Sequence, residues 1–223
     1  MGNPSFVSTL ILSGFLCGCN ALYSPSLHLP ERPLAKNDGL VTIGYGTLND
    51  VTGYDDVLSF SDGNDILVRY GFSDRLSLGV KWWSSTSVFG RGFYNGGFLA
   101  NGVYTLNDRD KDLVFGIIPT WSMLFTNDEV IAMGGSLQTA AWLPRIAIVR
   151  PYIASGPGVI VQNFRNDEWG YGLITNVGLT YDITKDFHVN GELSTVWGYR
   201  VSSKDIFTTI APSISVSWNF HNQ

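Results

Sequence analysis

From Asp65 to Trp82 apolar and polar residues alternate with a period of two, interrupted once. Ile66, Val68, Tyr70 and Phe72 share one face, and Leu67, Arg69 and Gly71 share the other. After Ser73-Asp74-Arg75, Leu76, Leu78, Val80 and Trp82 resume the apolar face opposite Ser77, Gly79 and Lys81. Two such runs joined by turn residues predict a β-hairpin. One face is apolar and ends in aromatics; the other is mostly small, polar or charged. A soluble sandwich would bury the apolar face against a second sheet. A transmembrane barrel would turn it to lipid and line a lumen with the polar face.

The same alternation recurs along the chain. Strands are predicted over 40–47, 66–72, 76–82, 98–106, 113–121, 131–142, 151–161, 171–183, 187–199 and 207–220. The first carries Val41, Ile43 and Tyr45 outward against Thr42, Gly44 and Gly46. Trp142 and Tyr152 do not fit a clean parity, so a bulge is expected near the sixth and seventh strands. The connections alternate between long (48–64, 84–97) and mostly short, as in an up-and-down barrel with loops at one end and turns at the other. On the ninth strand Phe187, Val189, Gly191, Leu193, Thr195 and Trp197 share a face. Their ten steps, at ~3.3 Å each and tilted ~40°, climb roughly 25 Å, the height of a barrel's apolar band. Trp82, Trp121 and Trp197 are expected in one aromatic belt, and Phe72, Tyr104, Tyr181 and Phe220 in the other. A sandwich gains nothing from aromatics segregated to strand ends. The expectation is an all-β, antiparallel, up-and-down transmembrane β-barrel of about ten strands over residues 39–220, with 221–223 as a short tail.

Composition supports that choice. Only 15% of the 223 residues are charged, which is low for a soluble domain. A net charge of −5 argues against a nucleic-acid partner. No stretch is long and apolar enough for a membrane helix, but barrel strands need none.

Residues 6–16 form an apolar run of the length found in signal peptides. It leads into Leu16-Cys17-Gly18-Cys19, which resembles the bacterial lipoprotein box. The resemblance implies a signal peptide over 1–18 and a lipid on Cys19. Both cysteines lie here, so the barrel has no internal disulfide. Residues 19–38 hold prolines and no sustained period, and read as an extended periplasmic tether in which His28 is incidental.

The hairpin Tyr70 to Gly79, its counterpart Tyr181 to Val189, and the last strand with Ile210, Pro212, Ile214, Val216, Trp218 and Phe220 on one parity resemble the small bacterial outer-membrane β-barrel proteins. The resemblance implies residence in the outer membrane, contact with its lipids and lipopolysaccharide, and recognition of the last strand by the barrel-assembly machinery. It implies little about activity, because this scaffold hosts pores, adhesins, enzymes and anchors.

The inward parity offers a polar cluster of Arg69, Lys81, Asn101, His188 and Glu192, expected as a plug of ion pairs because isolated buried charge is prohibitive. His188 and Ser194 have hydrolase residue types, but at ~3.3 Å per residue they stand roughly 20 Å apart on one strand. No catalytic residues, cofactor or metal site is assigned. Asp50, Asp55, Asp56, Asp62 and Asp65 make the first loop acidic without calcium-loop spacing. In the second long loop Phe89, Arg91, Phe93 and Tyr94 suit contact with a protein or glycan, and equally a loop folded over the barrel mouth. The expected function is a non-enzymatic surface anchor or interaction protein acting through loops or tether. The alternatives are a small gated channel or transporter for ions or small solutes and, further off, an outer-membrane hydrolase.

Overall fold

In the computed structural model, which describes residues 27–50, 60–86, 95–126, 129–162, 168–201 and 204–221, ten antiparallel strands close into one barrel. The strands are β1 (Asp38–Asp50), β2 (Phe60–Gly71), β3 (Leu76–Thr86), β4 (Asn95–Thr105), β5 (Val114–Thr126), β6 (Glu129–Trp142), β7 (Val149–Gln162), β8 (Glu168–Asp182), β9 (Phe187–Arg200) and β10 (Asp205–His221). Each pairs with its sequence neighbours, and β1 closes the sheet on β10 through pairs such as Val41 with Trp218. Closure leaves no open sheet edge, which is what a sheet in lipid requires.

Parity follows the expected assignment. Ile43, Ile66, Val68, Leu78, Val80, Leu193, Ile214 and Trp218 stand exposed on the outside, whereas Thr42, Leu67, Arg69, Ser77, Lys81, Asn190 and Ser215 are buried inside. Val80, in the middle of β3, is 54% exposed. A single closed sheet with its largest aliphatics outward is not a sandwich, whose apolar face would be covered. Trp82, Trp197, Phe72, Tyr104, Tyr181 and Phe220 also face outward. Near one rim Trp82 and Phe98 meet edge to face at 4.5 Å, and Phe98 meets Phe125 at 5.7 Å. Val80→Arg should therefore cost about 2–4 kcal/mol, the penalty for a cation on the lipid face near the midplane. Chemical unfolding in lipid vesicles measures it; an unchanged midpoint would mean that this face does not meet lipid.

Three expectations differ from the observed architecture. The strands run past the apolar band, so the connections 127–128, 163–167 and 201–204 are shorter than 106–113 at the opposite end. Backbone pairing continues through polar residues such as Asn49 and Asp50, which an apolar-polar pattern does not detect. The bulge falls on the sixth strand, as expected, but at the end away from Trp142, where Leu124 pairs with Ala132 and Phe125 with Val130. Trp142 pairs with Tyr152 in regular register, both rings point inward and are buried, and the register shift falls at Leu124/Phe125 between β5 and β6. The parity at Trp142 and Tyr152 is intact; the assumption that large aromatics face lipid was at fault. His221, assigned to a tail, ends β10 opposite Asp38 and bonds to its carboxylate at 2.9 Å.

The largest departure from the sequence expectation concerns residues 27–37, which enter the barrel and do not form an extended tether. Leu27, His28, Leu29, Pro30, Pro33 and Leu34 are buried within the barrel. The chain reverses into β1 at Asn37, whose φ of 68° lies in the left-handed region that asparagine tolerates. Its amide donates to the Gly71 carbonyl at 2.8 Å, and the Ala35 amide donates to Asp38 Oδ2 at 3.2 Å. At Gly71 a Cβ would lie 1.8 Å from the Ala35 carbonyl oxygen, so only glycine lets the segment pass this close to the wall.

Candidate functional site

An apolar half and a polar half of the lumen hold the inserted segment. On the apolar side Leu27 and Leu29 pack with Val103, Val114, Ile118, Ala140, Trp142, Tyr152 and Ala154 in one buried cluster. These wall residues lie on the inward parity of β4 to β7, where an empty lumen would hydrate them; the two leucines cover them. Trp142 Nε1 donates to the Pro30 carbonyl at 3.0 Å, giving the indole its partner.

On the polar side Glu192, inward on β9, takes five donors. Oε1 accepts the Leu27 amide at 2.7 Å, Asn176 Nδ2 at 3.0 Å and the Ser194 hydroxyl at 3.0 Å. Oε2 accepts the His28 amide at 3.1 Å and the Tyr152 hydroxyl in a short contact. Two of the five donors are backbone groups of the segment, so a wall carboxylate grips the chain directly. His28 Nε2 in turn lies 2.9 Å from Asp65 Oδ2, and Lys81 Nζ lies 3.8 Å from the same oxygen. Gly44 makes room for this pair, because a Cβ there would stand 2.6 Å from His28 Nε2.

Nearer the short-turn end, Glu31 ties the segment to the rim. Arg145 donates to Glu31 at 2.8 Å and also contacts Asp182 closely, while Arg150 approaches Glu31 at 3.7 Å. The hydrogen bond from Arg145 to Glu31 holds its guanidinium pKa above the ordinary value. Arg145 is half exposed, so this rim link contributes at most about 1 kcal/mol.

The predicted polar cluster is partly assembled. Arg69, Lys81, Asn101, His188 and Glu192 are all buried inside. Arg69 faces Gly79 across β2 and β3, and Gly79 faces Asn101 across β3 and β4, so Arg69 and Asn101 share a row. Lys81 lies one row further from the turns, with Asp65 and Glu192 within its electrostatic reach. His188 stands apart near the turns, 2.6 Å from Asp182 and 2.8 Å from Asn219. Glu192 takes its direct hydrogen bonds from neutral donors, while Lys81 meets Asp65 and keeps Glu192 within its electrostatic reach. Asp65 does not belong to the acidic loop; it continues the inward parity of Leu67 and Arg69. His28 is likewise no bystander. Among the described residues no group of three or more His, Cys, Asp or Glu could hold a metal ion. Cys19 and the loop candidates Phe89, Arg91, Phe93 and Tyr94 lie outside the described residues.

Asp65, Trp142, Tyr152 and the segment itself were missed by sequence reasoning. A signal for them existed. Val103, Val114, Ile118 and Ala154 put apolar side chains on the inward parity, which calls for an apolar occupant, and Leu27 and Leu29 are the alternating leucines that supply it.

No family model and no curated protein matches the sequence. Among solved structures, the chain is similar to the N-terminal β-barrel domain of Pseudomonas aeruginosa OprF, at 14% identity over 84% of this chain and 100% of that one, with a TM-score of 0.38. Ail, the attachment invasion locus protein of Yersinia pestis, matches at 13% identity over 83% and 99%, with a TM-score of 0.35. The outer membrane protease OmpT from Escherichia coli matches at 8% identity over 86% and 100%, with a TM-score of 0.38. With its closed antiparallel sheet, apolar outside and polar within, this chain has the fold of the small bacterial outer-membrane β-barrels.

Proposed function

We propose that this chain is a non-enzymatic outer-membrane barrel lipoprotein, anchored through an acylated Cys19, whose lumen is sealed by its own N-terminal segment. It works as a surface anchor or interaction protein through its extracellular loops. One observation carries the reading: Leu27 to Pro30, with Pro33 and Leu34, are buried inside the barrel, held by Glu192, Trp142 and Asp65. Packed leucines and a carboxylate with five donors inside the barrel support a lumen closed to general solute flux. Within the lumen, Ser194 bonds to Glu192 and Asn176, whereas His188 bonds to Asp182 and Asn219, so serine and histidine serve separate networks.

A gated channel is the second reading, and one feature favours it: the seal is a chain segment and not the wall, so it can leave without unfolding the sheet. Planar-bilayer recording separates the two. The full chain as an anchor is expected to pass little or no current; steady ion-selective conductance would overturn that choice in favour of the channel. Mass spectrometry of the mature N-terminus tests the anchor, where a free, unacylated terminus contradicts it.

A further inference from the structure

The lumen holds a second arrangement that neither the seal nor the anchor explains. Arg69 is fully buried, and none of Nε, Nη1 and Nη2 has a hydrogen-bond partner among the described residues. Asn101, 5% exposed, has neither its Nδ2 nor its Oδ1 bonded. The carboxylates that could have served Arg69 are engaged elsewhere. Glu192 is surrounded by Leu27, His28, Tyr152, Asn176 and Ser194, and Asp65 meets His28 and Lys81.

A guanidinium carries five N–H donors and accepts nothing, and burying it without acceptors is prohibitive. Acceptors must therefore come from beyond the described residues. The row supplies the shape. Arg69 and Asn101 lie on β2 and β4 with Gly79 between them on β3. Two strand spacings separate their backbones by about 9.6 Å. Glycine leaves the middle of the row without a side chain, and Asn101 leans over it, its Oδ1 standing 2.9 Å from where a Gly79 Cβ would be. Arg69 and Asn101 thus bring an unpaired guanidinium and an unpaired amide to one row of the lumen, where Leu67 Cδ1 also reaches over Gly79, 3.2 Å from that Cβ position. Lys81, one row away, adds positive potential.

We propose that Arg69 and Asn101 form a luminal binding site for a small monovalent anion, a halide or a small carboxylate, that is separate from the seal. The anion accepts from the Arg69 fork and from the Asn101 amide, whose orientation it fixes.

The test uses the full chain folded in detergent, titrated with sodium bromide or sodium formate against sodium gluconate at constant ionic strength. Thermal unfolding is expected to shift upward and to saturate, by about 3–6 °C at ten times the dissociation constant. Arg69→Met should abolish the shift, and Asn101→Leu should weaken apparent affinity at least about tenfold, the loss of one charge-assisted bond. Where Arg69→Met does not fold, bromide-soaked crystals of the unaltered chain decide the matter: an anomalous peak between Arg69 and Asn101 supports the site. No anion dependence, equal dependence in the variants, or a row occupied by water alone would overturn it.

Discussion

Glu192→Ala is expected to unseat the N-terminal segment and to turn a silent barrel into a conducting one. The carboxylate gathers the amides of Leu27 and His28 with Tyr152, Asn176 and Ser194, all in the buried lumen. Alanine leaves these donors without an acceptor, and orphaned buried donors cost far more than an intact bond contributes. Each donor left buried without an acceptor costs about 1–3 kcal/mol. The wall strands keep their backbone ladders, so the cheapest response is for the segment to withdraw and for water to satisfy the wall. Chemical unfolding should register the loss, and single-channel recording should show steps absent from the unaltered barrel. Glu192→Gln, which keeps one carbonyl acceptor, should fall between the two. A silent, equally stable Glu192→Ala barrel would mean that the carboxylate does not hold the segment.

Trp142→Ala should produce an effect of similar size through packing. The ring is fully buried, stacks into the cluster with Leu27, Leu29 and Tyr152, and donates its Nε1–H to Pro30. Removing a buried tryptophan costs about 3–5 kcal/mol, in lost transfer energy and the cavity left behind. Trp142→Phe separates the two contributions: it keeps most of the apolar contact and loses only the hydrogen bond, so about 1 kcal/mol is expected. Limited proteolysis reads the consequence, since cleavage within residues 27–37 should accelerate strongly in the alanine variant and slightly in the phenylalanine variant. If both are cleaved at the rate of the unaltered chain, the indole is not part of the seal.

The wall of this protein was legible because lipid imposes its pattern residue by residue. Ile66 must face out and Arg69 must face in whatever the rest of the chain does, and period two records that choice in the sequence. Strand ends were less legible. Beyond the apolar band the ladder is held by backbone groups, which leave no hydrophobic signature at Asn49 or Asp50. The seal was not legible as such, because a luminal occupant is specified by complementarity and not by period. Leu27 and Leu29 are two apolar residues among prolines until Val103, Ile118 and Tyr152, far apart in the chain, are brought opposite them. Asp65 shows the same limit: its sequence neighbours suggested an acidic loop, whereas its parity with Leu67 and Arg69 places it beside His28. Parity placed Arg69, Lys81 and Glu192 inside, but it left out Asp65 and the donors on Glu192, because backbone amides and a tyrosine hydroxyl compete for a carboxylate as effectively as a cation does.

The central claim is that residues 27–34 occupy the lumen, and the Trp142 indole proton tests it most directly. In the NMR spectrum of the detergent-folded chain, that Nε1–H should give nuclear Overhauser cross-peaks to protons of Pro30 and exchange slowly with solvent, as a buried donor 3.0 Å from the Pro30 carbonyl must. A rapidly exchanging indole proton with no cross-peak to the segment, beside random-coil shifts for Leu27 to Leu34, would contradict the account.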